Sequence, residues 1–255
     1  MRKVSDYRVA LQQAQDLQSY LLAESGLPGP RGNIELAQAV ADFGDETLFI
    51  HLLTFTPDVA PTNSPQEFLA FCGAVGLGRL VAAGQTQWLA PLRKLASDPR
   101  WRTREGVAMA LQRVGDRDMP MLIAVMAQWS KGSLLEQRAA AAALCEPRLL
   151  RNPAQVERVL DILDDITSAL SRQQDRKNED FKTLRKALAY CWSVAVAALP
   201  DEGKRRMERW SASPDKDVRW LMRENLKKNR LARMDRAWVY KMAVVYSAHI
   251  ETTSS

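Results

Sequence analysis

Shifted by 115 residues, the segment SDPRWRTREGVAMAL (97–111) aligns without a gap on ASPDKDVRWLMRENL (212–226), so that Pro99 meets Pro214, Arg104 meets Arg219 and Leu111 meets Leu226. A third copy, LEQRAAAAAL (135–144), centres on Arg138, and a weaker fourth, FKTLRKALAYCW (181–192), on Arg185. The four central arginines are separated by 34, 47 and 34 residues, and the long interval holds the polar stretch SRQQDRKNED (171–180), which reads as an inserted loop. Each interval is long enough for a helix, a turn and a second helix. Such spacings belong to arrays of stacked helical repeats, in which a unit buries its apolar face only against a neighbour.

The rest of the chain agrees with an all-helical reading. Apolar residues recur at three and four positions, and nothing alternates convincingly as a strand. GLPGPRGN (26–33) ends the first helical stretch and leaves Asn33 as an N-cap; the Pro-rich loop TPDVAPTNSPQ (57–67) leaves Ser64 and Pro65 to start another. Further turns are marked at SDP (97–99), DRDMP (116–120), Asn152-Pro153, LPDEG (199–203) and SPDKD (213–217). The longest nearly uncharged runs, Phe68 to Gly78 and Ala187 to Pro200, fall short of the roughly 20 residues of a membrane span and predict buried helices. The opening MRKVSDYRVALQQAQDLQ has no apolar segment of the signal-peptide kind, and a cytoplasmic location is expected. Cys72, Cys145 and Cys191 have no metal-ligand spacing and read as small buried hydrophobes. His51, in an apolar run, reads as a core or boundary residue, and His249 stands alone. No metal site and no cofactor are expected.

The segments that carry the repeat also carry a resemblance. LRKLASDPRWRTREGVAMAL (92–111) and ERWSASPDKDVRWLMRENL (208–226) resemble HEAT repeats: one helix, a turn with Asp or Pro, then a second helix opening near an Arg, with Asp217-Val218-Arg219 at the usual start of that second helix. ESGLPGPRGN and WLMRENLKKNRL are similar to segments of bacterial HEAT-repeat proteins without an assigned activity. The resemblance covers about residues 85–235. It implies a right-handed superhelix of antiparallel helix pairs: an atypical helical N-terminal portion (1–85) covering the first repeat, HEAT-like repeats over 86–236, and a C-terminal tail (237–255) packing back on the array. It also implies a ladder in which a turn Asp pairs with an Arg six residues on; Asp98 and Arg104 have that spacing, whereas Ser213 leaves Arg219 without the equivalent partner.

Charge points to a partner. Residues 1–87 hold 5 Lys+Arg against 9 Asp+Glu (−4), and residues 88–255 hold 31 against 21 (+10). From 204 to 236 the count is 12 against 5. On a helix read over 216–230, Val218, Leu221, Met222 and Leu226 form an apolar stripe, while Arg219, Arg223, Lys227 and Arg230 share another face, flanked by Lys216, Trp220 and Lys228. In a HEAT array such a helix lines the concave side, so this stripe is expected to contact phosphates, with Trp220 stacking on an exposed base. The opposing reading is a terminal repeat with a solvated polar cap. Trp101, in a turn with Arg100, Arg102 and Arg104, is a second candidate for an exposed recognition ring, with Arg102 beside it.

These residues predict a non-enzymatic binding or scaffold protein whose basic surface takes DNA, RNA or an acidic protein or peptide. The alternative comes from the resemblance: some HEAT-like proteins are DNA glycosylases of alkylation repair, with a basic concave face, aromatics and a carboxylate. Glu105, one helical turn from Trp101, is the catalytic candidate on that reading, but no Trp-plus-Asp motif matches residue by residue. Phosphate loops, HExxH, GxSxG and paired carboxylates do not occur.

Overall fold

A computed structural model describes the backbone of residues 3–252 and the side chains of residues 3–244. The elements are α1 (Val4–Gln13), α2 (Leu17–Ala23), α3 (Ile34–Phe43), α4 (Glu46–Leu53), α5 (Glu67–Ala82), a 3-10 turn (Thr86–Trp88), α6 (Leu89–Leu95), α7 (Trp101–Arg117), α8 (Met119–Trp129), α9 (Leu134–Leu144), α10 (Pro153–Ser171), α11 (Glu179–Ala198), α12 (Pro200–Ser211), α13 (Lys216–Leu226), α14 (Asn229–Met234) and α15 (Arg236–Thr252). The fold is all-α, with no strand among the described residues. The four central arginines of the sequence repeat fall on α7, α9, α11 and α13, the second helices of the pairs α6/α7, α8/α9, α10/α11 and α12/α13.

Local sequence explains the helix starts. Asn33 accepts the Leu36 amide at 3.1 Å, as an N-cap should. Ser133 and Glu136 form a reciprocal capping box, and Asn152 caps α10 with Pro153 in its first turn. Ser64 does not cap α5 directly: its hydroxyl accepts the Glu67 amide at 3.2 Å, and the helix begins two residues later than expected.

The chain divides into two compact units, residues 1–118 and 119–255. In the first, α5 is the central helix and packs against α2, α3, α4 and α7. It is apolar all round, as the uncharged run 68–78 predicts, and is buried over most of its length. Its glycines permit close approach: a Cβ on Gly78 would lie 2.4 Å from the Ala110 backbone of α7, and one on Gly76 2.2 Å from the Phe49 ring of α4. His51 differs from expectation. α4 buries Phe49 and Leu52, so His51 and Ile50 turn outward and are exposed, the His51 ring meeting Phe55 edge-on.

In the second unit α11 is central and packs against α9, α10, α12, α13 and α14. Trp192 is fully buried there and donates its indole N–H to the Thr167 hydroxyl at 3.0 Å. α12 is fastened to α10 by Arg206, which reaches Asp161 and Asp164 at 2.8 and 2.9 Å. The segment from 236 is a helix, α15, that packs on α13 and α14 with Trp238 and Met242 buried. The side chain of His249 lies outside the described residues. All three cysteines are buried and free. Among the described residues no helix is long and apolar enough to cross a membrane.

Candidate functional site

The basic C-terminal stretch does not form one helix. Leu231 lies five residues beyond Leu226, about 140° round a helix of 3.6 residues per turn, so an unbroken helix would carry it off the apolar stripe. The chain instead ends α13 at Leu226, extends Lys228 (φ −79°, ψ 124°) and restarts as α14, which packs on α11 with Leu231 fully buried. The expected single face of Arg219, Arg223, Lys227 and Arg230 is thereby split. Arg219 stays on the first turn of α13, while Lys227, Lys228, Asn229, Arg230 and Arg233 gather against the C-terminal end of α11.

There they line a cleft of about 690 Å³. The rest of its lining is apolar: Val194, Ala197 and Ala198 of α11, with Pro147 and Leu150 of the loop after α9. Tyr190 lies on α11 at the same helical face as Val194 and Ala197. Its ring is exposed, with the Arg230 guanidinium carbon 4.6 Å and the Lys228 ammonium 5.8 Å from its centroid, and its hydroxyl accepts from Arg230. Lys227 pairs with Glu224 at 2.5 Å. Arg223, Lys228, Arg230 and Arg233 have no carboxylate partner among the described residues, and no acidic residue lines the cleft.

A buried amide fixes the lining. Asn225, fully buried on the apolar stripe of α13, accepts the Ser193 amide at 2.8 Å and donates to the Leu188 carbonyl at 2.9 Å and the Leu221 carbonyl at 2.7 Å. Ser193 and Leu188 both belong to α11, so one side chain ties α13 to the backbone beside Tyr190. Cys145 and Cys191 are in contact; burial pushes the Cys145 thiol well above its ordinary range, reinforced by Cys191 and opposed by Arg230.

The other expected site residues are placed differently. Arg219 is committed, not spare: its guanidinium donates to the Ser213 and Pro214 carbonyls, both at 2.8 Å. Arg104 makes the same clamp on the Asp98 and Pro99 carbonyls, at 2.6 and 3.0 Å. The repeated arginine therefore grips backbone, which is why Ser can stand where Asp stands in the other copy. The Asp98 carboxylate instead takes Arg100, at 2.7 Å. A carboxylate rung between neighbouring helices does occur, from Arg185 of α11 to Asp217 of α13. Trp220 is half-buried under Arg185, whose guanidinium carbon sits 4.3 Å from the ring centroid, so that face is already stacked.

In the first unit Trp101 opens α7 and is 44% exposed, with the Arg102 guanidinium carbon 4.3 Å from its ring. Arg102 itself is buried, contrary to its expected surface placement. It pairs with the fully buried Glu67 at 3.2 Å and reaches the Gly29 carbonyl and the Asn63 side chain, pinning two loops to α7. Arg100 does the same for the Phe55 and Ala60 carbonyls, at 2.7 and 3.1 Å. Two of the three arginines beside Trp101 thus point inward. Glu105 is half-buried one turn along α7. Among the described residues no group of three His, Cys, Asp or Glu side chains is arranged to hold a metal ion.

Sequence reasoning missed Tyr190, Arg233 and Asn225. Asn225 left a signal, a polar residue on an otherwise apolar stripe; Tyr190 left none, because its cationic neighbours are about 40 residues further on.

No family model matches the chain, and no curated protein matches it. Among solved structures it is similar to the crystal structure of AlkD2 from Streptococcus mutans, with a TM-score of 0.60 and 17% identity over 88% of this chain and 98% of that one. Designed armadillo repeat proteins overlay less closely: one has a TM-score of 0.36 and 18% identity over 86% of this chain and 97% of the other. The first likeness places the fold among helical repeat proteins.

Proposed function

We propose that the chain is a binding module and that the cleft beside α14 grips the phosphate backbone of nucleic acid. The observation that carries this reading is the convergence of Lys227, Lys228, Arg230 and Arg233 on one cleft without a lining carboxylate. Cations near a helix C-terminus are favourable in themselves, at about 0.3–1 kcal/mol each, and the end of α11 supplies such a setting. That accounts for one or two cations, not for four around a cavity. Arg223, exposed on α13, extends the basic surface; Arg219 is taken up by the Ser213 and Pro214 carbonyls and Trp220 by Arg185, and Trp101 with Arg102 is a separate feature of the other unit.

The test is fluorescence anisotropy with labelled oligonucleotides. Replacing Lys228, Arg230 and Arg233 together by Ala is expected to abolish binding with little change in thermal unfolding, and replacing Arg223, Lys227 and Lys228 to weaken it. Wild-type affinity in both variants would refute the site. Binding only to an acidic protein, with no affinity for nucleic acid at physiological salt, would favour the scaffold reading.

A second reading, a glycosylase acting on alkylated DNA, draws on the exposed Trp101 ring with Glu105 one turn away. It requires release of methylated bases from alkylated DNA, lost in Trp101→Ala or Glu105→Gln. No release under conditions that permit binding would eliminate it.

A further inference from the structure

We infer that the cleft is built for unpaired nucleotides, with Tyr190 as the stacking residue, so that its ligand is single-stranded rather than duplex nucleic acid. This rests on the nucleic-acid reading of the same cleft and narrows it. Three observations carry it. The lining of the cleft is of two chemical kinds: cations of the α13–α14 break, and the apolar Val194, Ala197, Ala198, Pro147 and Leu150. A duplex presents phosphates and sugars outward and keeps its base faces stacked inside, so it has nothing to lay against an apolar lining. An unpaired nucleotide has both parts, a phosphate for the cations and a flat apolar base for the apolar residues.

The second observation is Tyr190. Its ring is 45% exposed and touches Arg230 and Lys228, two of the residues that line the cleft, while its place on α11 puts it on the helical face of Val194 and Ala197, so it is an available stacking surface next to both kinds of lining. Arg230 lies over the ring, 4.6 Å from its centroid, with Lys228 at 5.8 Å, so the ring is in contact with two of the cleft's cations and offers a base the part that remains exposed. Trp220, the ring expected in this role, is half-buried as well as covered by Arg185. The third is size: about 690 Å³ lies within the roughly 300–1,000 Å³ that small-ligand pockets occupy, room for individual nucleotides rather than for the side of a double helix.

The experiment uses the full chain and four probes at one salt concentration: a labelled oligothymidylate, a duplex of the same length, inorganic polyphosphate and poly-glutamate. The single strand is expected to bind about tenfold more tightly than the duplex. Tyr190→Ala is expected to weaken single-strand binding about tenfold, from stacking of roughly 1–3 kcal/mol per base, and to leave polyphosphate binding within about twofold. Tyr190→Phe, which keeps the ring and loses the hydroxyl, is expected to bind the single strand like wild type; matching thermal unfolding checks that both variants fold. Duplex binding as tight as single-strand binding, or an equal loss on every probe in Tyr190→Ala, would overturn the inference while leaving the polyanion cleft standing. Binding to poly-glutamate alone, or to no probe, would overturn the nucleic-acid reading and this inference with it.

Discussion

At the scale of single residues, the buried polar groups decide most. Asn225 satisfies three backbone groups from a fully buried position, so Asn225→Ala leaves the Ser193 amide and Leu188 carbonyl without that partner. A loss of about 2 kcal/mol is expected, read as a fall in the urea midpoint; an unchanged midpoint would show that α11 closes its own ladder. Asp215, half-buried at the start of α13, is a second polar group that matters. Burial works to raise its carboxyl pKa, but the Arg176 guanidinium at 2.8 Å and the Val218 and Asp217 amides outweigh this and hold it below the ordinary range. A carboxylate with a lowered folded pKa contributes stability that is complete above the unfolded value of about 3.9 and is lost as pH falls through the folded value. Arg176→Met is therefore expected to be less stable than wild type at pH 7, with the difference shrinking towards about pH 3. An equal difference at both values would assign the effect to packing alone. None of this was legible beforehand: an Arg in a polar loop and an Asp at a helix start are ordinary until the fold brings them together.

At the scale of elements, helices and their punctuation were legible and their inward or outward commitments were not. The repeat period located the second helix of four pairs, because a helix that stacks on its neighbours keeps a regular pattern of apolar and small residues. The uncharged run 68–78 identified the central helix α5. The break at 227–228 escaped because it is forced by where Leu231 has to go, a tertiary demand that overrides helix-favouring residues. Arg102 escaped for a related reason: a cation in a turn reads as a surface charge unless the buried Glu67 facing it is known. α5 also supplies a prediction. Gly78→Ala would set a methyl 2.4 Å from the Ala110 backbone, where neither helix can yield locally, so a destabilisation of about 3 kcal/mol is expected from thermal or urea unfolding. Tolerance of that methyl would mean that α5 and α7 do not meet as closely as described.

At the scale of the whole molecule, charge is partitioned. Residues 1–118 hold 12 Lys+Arg against 13 Asp+Glu, and residues 119–255 hold 24 against 17, a net of +7. Residues 119–203 balance at 11 against 11, so the stretch 204–236, with 12 against 5, carries that whole excess. Part of it is neutralised internally by Arg206, Arg209 and Lys204 on nearby carboxylates, and Lys227, Lys228, Arg230 and Arg233 line the cleft. The sequence showed the excess but not its focus, since only folding separates the cations that fasten α12 from those that face the cavity. The most direct measurement is an anisotropy titration of the full chain with a labelled single strand at several salt concentrations between about 50 and 200 mM. The three cleft cations without a carboxylate partner, on three phosphates, predict a slope of log affinity against log salt of about −2, at roughly −0.7 per contact, and a much shallower slope when Lys228, Arg230 and Arg233 are replaced. A flat titration, or a slope unaltered by those replacements, would contradict the assignment of the cleft.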